Sequence, residues 1–437
     1  MRGVIRNGST SLSAFADRVN TDAAFRAVVW LFGAVLLVFA AIPVANALLG
    51  ESIKDYELWH DTGRKFLNGE ALYPTRNQKF PFMYPPTCAV FLAPVSLLGP
   101  TGLVVALVVV NAAAWLASIL LAVRLAAGEW KRQHLLVYVI PSLVIAVYAW
   151  SNFHLGQPSL VLLALMLGAF VALQARRGSL AGALIAIAAA IKAFPFILIV
   201  YLVYRRYWVA AASLLVTLAF LLIVLPAPFR GFDQARNDLQ LWTEGMLLKY
   251  DNTGVAQRPG RSNSWKNQSI FGVANRLLRH VDYDEQFAVH TPLYANVADL
   301  SFSVVNRIIA GVALFFGLAY IAVLPRRARR TRETDAMEFA LLVLLILIFT
   351  PLAFGYLFAC LLFPLTVIVR RLLTSWSPAL LVPTLTAVAL LALTIPLQRL
   401  AQAYGNTMFA TMILFAALVL ELWKTKRQSA IESAVRV

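Results

Sequence analysis

The sequence predicts an all-α protein that crosses a membrane many times. Of its 437 residues, 60% are hydrophobic and only 14% are charged, whereas about a quarter are charged in a typical soluble domain. Apolar runs of roughly 17–25 residues, long enough to cross a bilayer as helices, recur along the chain. These runs are continuously apolar, whereas the strands of a membrane barrel alternate between apolar and polar residues.

The positive charge is distributed as expected for a multi-pass membrane protein. The formal net charge is +17, and the basic residues lie mostly in short clusters between apolar runs, as cytoplasmic loops do. This pattern explains the charge without a nucleic acid partner. Starting from a first helix over about 27–49, the positive-inside rule predicts cytoplasmic termini and two long outer segments, at about 50–100 and 227–300.

The same rule gives the order of the apolar segments. Residues 178–204 separate two Arg-Arg clusters that both favour the cytoplasm, so a pair of short segments that turns back at Lys192 fits better than one full span. A second short pair is predicted within 337–369, with a break at Thr350-Pro351. We therefore expect a single domain over residues 1–437. Its about 12 spanning or half-spanning segments begin with 27–49 and continue with 101–125, 134–150, 159–175, 180–191, 195–204, 208–226, 301–324, the pair in 337–369, 377–395 and 407–423.

Metal and nucleotide chemistry have no support in the sequence. Cys88 and Cys360 lie in apolar surroundings, so neither a disulfide framework nor a cysteine metal site is predicted. The five histidines show no ligand spacing such as HExxH. Glycine motifs of nucleotide-binding loops and a GxSxG nucleophile elbow are also missing from credible contexts.

The first outer segment contains the candidate general base. Its stretch "IKDYELWHDTGRKFLNGEALYP" at 53–74 has four acids: Asp55, Glu57, Asp61 and Glu70. A carboxylate held beside apolar walls can act as a general base, whereas a solvated loop acid has no chemical role. Tyr84-Pro85-Pro86 ends the loop, and the short apolar stretch that follows is either interfacial or a plain connector.

Lys192 is the candidate anion-binding residue. A lysine inside a membrane is costly, so it predicts a function by default, and a phosphodiester would be a natural partner. The alternative is a lysine whose ammonium extends to the headgroups. In the outer turn "SNFHLGQP", His154 and Gln157 are either ligand contacts or ordinary turn residues.

The second outer segment contains "SNSWKNQSIFGVANRLLRH" at 262–280. Lys266 and Arg276 are candidate donors to an anion, together with Arg279. Asn267 and Gln268 are candidate hydrogen-bond partners of sugar hydroxyls. The alternative is an amphipathic segment that binds lipid headgroups.

Taken together and in order, these motifs resemble glycosyltransferase family 87, over about residues 25–370. The motifs are "KDYELWHDTGRKFLNGEALY", "FMYPP", "LAPVSLLGP", "HLGQPSLVLLAL", "AIKAFPF" and "NQSIFGVANR". The resemblance implies a GT-C-type transferase that uses a polyprenyl-phosphate sugar on the outer face, with no metal or other cofactor. It also selects Asp55, four residues before Trp59, as the catalytic base.

For such a donor, the charged residues named above become candidate phosphate ligands. We expect the donor phosphate near Lys192, with Lys266 and Arg276 as further candidates. The predicted substrate contacts are Tyr84, His154, Gln157, Asn267, Gln268 and Tyr356. The chain departs from the family in its late outer turn, "TPLAFGYLFACLLFPL" at 350–365, which has no histidine.

The predicted function is transfer of a hexose, with mannose favoured, to a lipid-linked or envelope glycan acceptor in a bacterial inner membrane. The expected partners are the lipid-linked donor, the acceptor and membrane lipids. Two alternatives stay open. Broken helices and a buried lysine also suit a transporter or lipid flippase, and a polysaccharide polymerase or ligase would use a lipid-diphosphate donor.

Overall fold

The computed structural model describes residue 18 and residues 21–73, 81–256, 261–284 and 291–435. Parts of both predicted outer segments, 74–80, 257–260 and 285–290, lie outside the described residues, as does most of the predicted cytoplasmic N-terminus. The described chain is mainly helical and has almost no strands, which confirms the predicted all-α class. Its strands are β1 (Tyr250–Asp251) and β2 (Gly254–Val255), which pair antiparallel in a small hairpin.

Nineteen α-helices follow one another in the described residues. Those of the first half are α1 (Ala23–Leu48), α2 (Asp55–Leu67), α3 (Pro86–Ser96), α4 (Gly99–Ala127), α5 (Leu136–Val144), α6 (Ala146–Leu155), α7 (Ser159–Gln174), α8 (Gly178–Ile191), α9 (Leu198–Tyr204) and α10 (Trp208–Ala219). Those of the second half are α11 (Ala227–Arg230), α12 (Phe232–Trp242), α13 (Ile270–Leu278), α14 (Phe302–Val323), α15 (Arg332–Phe349), α16 (Leu362–Thr374), α17 (Pro378–Ala392), α18 (Gln398–Ala403) and α19 (Asn406–Val435). Short 3₁₀ turns lie at Phe194–Ile197, Arg261–Asn263, Arg327–Arg329 and Gly355–Leu361, and π turns at Phe220–Val224 and Thr243–Leu247.

Six helical segments of the described chain are long and apolar enough to cross a bilayer. They are Ala23–Leu48, Gly99–Ala127, Trp208–Arg230, Phe302–Val323, Gly355–Thr374 and Asn406–Gln428. The pair α5 and α6 qualifies only as a bent span, and five shorter apolar helices accompany them. Every apolar segment predicted from the sequence is helical, so the polytopic class is confirmed, and the number that cross the bilayer stays a prediction.

The break predicted at Lys192 is present. Helix α8 ends at Ile191, and Lys192 has an extended backbone with φ −150° and ψ 126° before a 3₁₀ turn resumes at Phe194. The break predicted at Thr350 is present as well, because α15 ends at Phe349 and Thr350 is again extended. Both breaks interrupt apolar helices, which leaves main-chain groups and side chains available inside the bundle.

A bend at Ile145 was not predicted. The expected helix at 134–150, followed by a turn, is instead two helices, α5 and α6, that meet at an angle of 57°. Helix α6 then extends to Leu155. Pro141 lies one turn before the bend and has no N–H for the helical ladder, which is a common cause of such kinks.

The stretch after Tyr84-Pro85-Pro86, left open between an interfacial segment and a connector, is the packed helix α3. Its buried residues include Thr87, Cys88, Ala89 and Leu92. Helix α2 packs closely on it, since a Cβ added to Gly63 would lie 2.7 Å from the Ser96 side chain. The first outer segment is therefore built into the protein and frames the site described next.

A buried ion-pair network joins the loops at one end of the bundle. Glu338 of α15 is fully buried and accepts hydrogen bonds from both Nε and Nη2 of Arg205. Arg330 lies 3.8 Å from the same carboxylate and donates to the Tyr207 hydroxyl at 2.6 Å. Because buried charges require partners, this network fixes the end of α9 against α15, within the Arg-rich clusters predicted to be cytoplasmic.

Candidate active site

Asp55 is the first residue of α2, and two aromatic side chains hold that helix in place. Tyr56 donates from its hydroxyl to the Phe153 carbonyl at 2.7 Å, and the Trp59 indole N–H donates to the Gly156 carbonyl at 2.8 Å. Gly156 has φ +68°, and a Cβ there would lie 2.9 Å from the Tyr56 ring. The start of α2 is thus fixed against the turn between α6 and α7.

Gln157 lies in that turn and connects Asp55 to Tyr84. Its Nε2 donates to Asp55 Oδ2 at 2.5 Å, and the Tyr84 hydroxyl donates to its Oε1 at 2.7 Å. The Tyr73 hydroxyl in turn donates to the Tyr84 carbonyl at 2.7 Å. The two bonds to Gln157 fix the orientation of its amide, because the phenol requires the oxygen as an acceptor and the carboxylate requires the nitrogen as a donor.

The environment of Tyr84 keeps its phenol protonated. Burial raises the pKa of Tyr84 well above its ordinary value, and the nearby Tyr356 and Asp55 raise it further. A raised pKa for a phenol favours the neutral form. Tyr84 therefore remains a hydrogen-bond donor to Gln157 throughout the neutral pH range.

Lys192 lies close to two aromatic rings of the same cluster. Its Nζ is 5.4 Å from the centroid of the Tyr84 ring and 4.9 Å from that of the Tyr356 ring, within the range of cation–π attraction. The break after α8 places Lys192 there, and the 3₁₀ turn at Gly355–Leu361 places Tyr356. Five of the predicted site residues are thus brought together: Asp55, Tyr84, Gln157, Lys192 and Tyr356.

Asn152 is a member of this site that the sequence analysis did not name. It is fully buried near the end of α6, and its Nδ2 donates to the Tyr356 carbonyl at 2.8 Å. Its Oδ1 accepts from the Ser159 N–H at 3.1 Å. An asparagine in an apolar helix, one turn before the glutamine of the "HLGQP" turn, was the available signal. His154, close by, stacks on Trp150 at 5.2 Å between ring centroids, and its predicted substrate contact stays a prediction.

Arg276 lies in a different environment from the one predicted. Its side chain is fully buried and donates to main-chain carbonyls, those of Asn263, Ser264, Asn267, Gln402 and Ala403. Burial lowers the pKa of Arg276 to about 9, so the guanidinium still carries its charge at neutral pH. These bonds favour a structural role over the predicted contact with a donor phosphate.

The amides of Asn267 and Gln268 also have main-chain partners. Both residues are fully buried. Asn267 Nδ2 donates to the Ser262 carbonyl at 2.8 Å and the Pro351 carbonyl at 3.0 Å. Gln268 Nε2 donates to the Gln402 carbonyl at 2.7 Å. For Asn267 and Gln268 to contact sugar hydroxyls as predicted, these hydrogen bonds to the main chain would have to break and be replaced by bonds to the sugar. Lys266, the remaining candidate, lies with its Nζ 5.2 Å from the Trp265 ring centroid.

The thiols and acids of the described ranges form no other centre. Cys88 and Cys360 are both buried and unpaired. Among the residues that the structure describes, no three His, Cys, Asp or Glu side chains lie together as metal ligands would.

The helical bundle and the gathered carboxylate, amide, phenol and ammonium define a polytopic membrane protein with an enzyme-like polar site at its helix breaks. The chain belongs to glycosyltransferase family 87, whose family model matches residues 82–351. The matched range includes Tyr84, Gln157 and Lys192, whereas Asp55 and Tyr356 lie outside it.

One characterised relative resembles part of the chain. It is a polyprenol-phosphate-mannose-dependent alpha-(1-2)-phosphatidylinositol pentamannoside mannosyltransferase of Mycobacterium tuberculosis (strain CDC 1551 / Oshkosh), 32% identical over 203 residues. The alignment covers 46% of this chain and 43% of the relative, so the two correspond over less than half their lengths. No solved structure matches the chain.

Proposed function

We propose that the protein transfers a hexose, with mannose favoured, from a polyprenyl-phosphate sugar to a lipid-linked or envelope glycan acceptor. The family supports glycosyl transfer, and the donor named for the mycobacterial relative supports the donor class. The observation that carries the proposal is the cluster itself. The half-buried Asp55 carboxylate is bonded to Gln157, Gln157 is bonded to Tyr84, and the Tyr84 ring lies beside the half-buried Lys192 ammonium.

Asp55 is the proposed general base. An acceptor hydroxyl attacks the anomeric carbon of the donor sugar, and its proton passes to the Asp55 carboxylate. The new glycosidic C–O bond forms as the bond between the anomeric carbon and the phosphate oxygen breaks, and the electron pair leaves with polyprenyl phosphate. A single displacement of this kind inverts the anomeric configuration. Positioned base catalysis typically contributes 10²–10⁴-fold to the rate.

Lys192 is the proposed partner of the leaving phosphate. Negative charge builds on the phosphate oxygen as the glycosyl bond breaks, and an ammonium held beside that oxygen stabilises the charge. The Tyr84 and Tyr356 rings both attract the ammonium and so restrict its position. The lipid tail of the donor would then lie in the bilayer, and the proposal includes neither a metal nor another cofactor.

The proposed orientation follows the charge distribution. Asp55, Tyr84 and Gln157 lie in segments that the positive-inside rule assigns to the outer face of a bacterial inner membrane, Lys192 lies at the turn of a short membrane pair, and both termini would be cytoplasmic. The acceptor would therefore be a glycolipid or glycan of the cell envelope.

Replacing Asp55 tests the proposal directly. We expect Asp55→Asn to insert and fold but to lose sugar transfer by about 10²–10⁴-fold, because the amide cannot accept the proton. Asp61→Asn is the matched control, since Asp61 is on the same helix with a side chain 68% exposed. The measurement is transfer by purified protein from polyprenyl-phosphate mannose to an envelope glycolipid extract. Wild-type rates in Asp55→Asn would refute the role of Asp55.

The donor class needs its own test. Polyprenyl-phosphate and polyprenyl-diphosphate sugars are offered in parallel to the wild-type protein, with product detected by mass spectrometry. The proposal expects product from the monophosphate, whereas a polymerase or ligase would require the diphosphate. Lipid flux that persists without sugar transfer, and also in Asp55→Asn, would favour a flippase.

A further inference from the structure

Three consecutive residues of the second outer segment, Asn267, Gln268 and Ser269, hold the chain just after the break at Thr350. We call them the NQS clamp. Asn267 Oδ1 accepts from the Ala353 N–H at 3.0 Å, and the Gln268 N–H donates to the Ala353 carbonyl at 2.8 Å. The Pro351 carbonyl accepts from both Asn267 Nδ2 and the Ser269 hydroxyl, at 3.0 and 2.9 Å. Four hydrogen bonds thus join the clamp to residues 351–353.

The NQS clamp is itself firmly held. All three residues are fully buried. Arg276 donates to the Asn267 carbonyl at 2.8 Å, and Ser269 caps α13 by accepting from the Gly272 N–H at 3.1 Å. A Cβ added to Gly272 would lie 2.8 Å from the Asn267 amide, so the helix start and the clamp are in close contact. Gln268 Oε1 is buried without a hydrogen-bond partner among the described residues, but the other bonds of the clamp join buried groups and make it a firm support.

The segment held by the clamp leads directly to the candidate active site. Ala353 is followed, after Phe354, by the 3₁₀ turn at Gly355–Leu361, which contains Tyr356. On its other side this turn is fixed by Asn152, whose Nδ2 donates to the Tyr356 carbonyl. The main chain at 351–356 is therefore bound at both ends, and the ring of Tyr356, at the second attachment, lies 4.9 Å from the Lys192 ammonium.

We propose that the NQS clamp is a set of positioning residues that keeps the Tyr356 ring beside Lys192 and thereby sets the affinity for the donor phosphate. The positioning of the Tyr356 ring is inferred from hydrogen bonds alone. The effect on donor affinity rests on the donor site proposed above. The clamp does not touch substrate. Its loss should raise the KM for the donor and also lower kcat, because Lys192 stabilises the leaving phosphate, whereas the bond between Gln157 and Asp55 should stay intact.

The decisive comparison is Asn267→Ala against Asn275→Ala. Asn275 is also buried, but its Nδ2 donates to the Phe271 carbonyl within α13 and not to residues 351–353. We expect Asn267→Ala to speed amide hydrogen exchange in 351–361 and to raise the donor KM about tenfold, the equivalent of one net hydrogen bond. Asn275→Ala should leave both unchanged. If the rates of amide hydrogen exchange in 351–361 are the same in Asn267→Ala and the wild type, the proposed role of the clamp is wrong.

A double-variant cycle tests whether the effect passes through Tyr356. If it does, Asn267→Ala should change the donor KM much less in a Tyr356→Ala background than alone. Full additivity would overturn the positioning role. Ser269→Ala removes one bond from the clamp and provides a milder variant should Asn267→Ala fail to fold. Hydrogen exchange needs no substrate, so it tests the clamp even if the proposed transfer reaction is refuted.

Discussion

Two neighbouring side chains fix the orientation of the Asp55 carboxylate. Gln157 holds one carboxylate oxygen at 2.5 Å, and Tyr84 holds the amide of Gln157 in turn. The Tyr84 phenol is protonated and neutral, because burial raises the pKa of Tyr84. A base held by such a chain keeps its orientation between turnovers, which is the contribution that preorganisation makes to catalysis.

Gln157→Leu should separate positioning of the base from binding of the donor. The variant keeps the approximate size of the side chain but removes both hydrogen bonds. Since a hydrogen bond to a charged group contributes about 1.5–3 kcal/mol, we expect kcat to fall by about 10- to 100-fold while the donor KM changes little. Tyr84→Phe, which removes only the outer bond, should have a smaller effect. Steady-state kinetics of the purified variants would show this, and an unchanged kcat in Gln157→Leu would contradict it.

Single site residues could be predicted where the sequence alone shows that burying the side chain is energetically costly. A lysine in an apolar run is such a case, and Lys192 does lie at a helix break beside Tyr356. Arg276 shows the opposite case. Its residue type predicted hydrogen bonds to a donor phosphate. The Arg276 guanidinium instead donates to main-chain carbonyls of distant segments, such as those of Gln402 and Ala403. The identity of those acceptors depends on tertiary packing, which residue type does not reveal.

At the scale of elements, breaks and turns of the apolar helices place the site. The turn between α6 and α7 supplies Gln157 and the carbonyl that receives Trp59, the break after α8 supplies Lys192, and the break after α15 supplies Tyr356. The two breaks were predictable because paired Arg clusters forced the chain to return to the same face. The bend at Ile145 was missed because no charge pattern marks it, although Pro141, one turn earlier, was a signal in the sequence.

Gly156→Ala tests how the turn supports α2. Its φ of +68° already disfavours a side chain, and the new Cβ would meet the Tyr56 ring at 2.9 Å. We expect a loss of about 2–4 kcal/mol, combining backbone strain with overpacking, and a clear fall in Tm in detergent. Gly69→Ala is the control, because Gly69 has φ +74° with no atom within 4 Å. Equal Tm shifts in the two variants would show that the close contact with Tyr56 does not contribute to the loss of stability.

For the whole molecule, the two outer segments are predicted to lie on one face, and their contacts agree with that arrangement. Trp242 of α12, in the second segment, donates from its indole N–H to the Met83 carbonyl of the first at 3.2 Å. The first segment contributes Asp55 and Tyr84 to the site, and the second supports Tyr356 through the NQS clamp. Hydropathy and charge were sufficient to predict the helical class, and the common face stays a prediction, whereas the contacts between the segments required the fold.

The two buried cysteines have a practical consequence for mapping the faces of this protein. Cys88 is 7% exposed and Cys360 is 1% exposed, so the native chain should react little with an impermeant maleimide and give almost no background label. A cysteine added at an exposed position then reports its own side of the membrane. Asp61→Cys should label in intact spheroplasts, and Glu129→Cys, with a side chain 44% exposed in the starting residue, only after permeabilisation. Labelling of both from the same side would reverse the predicted orientation.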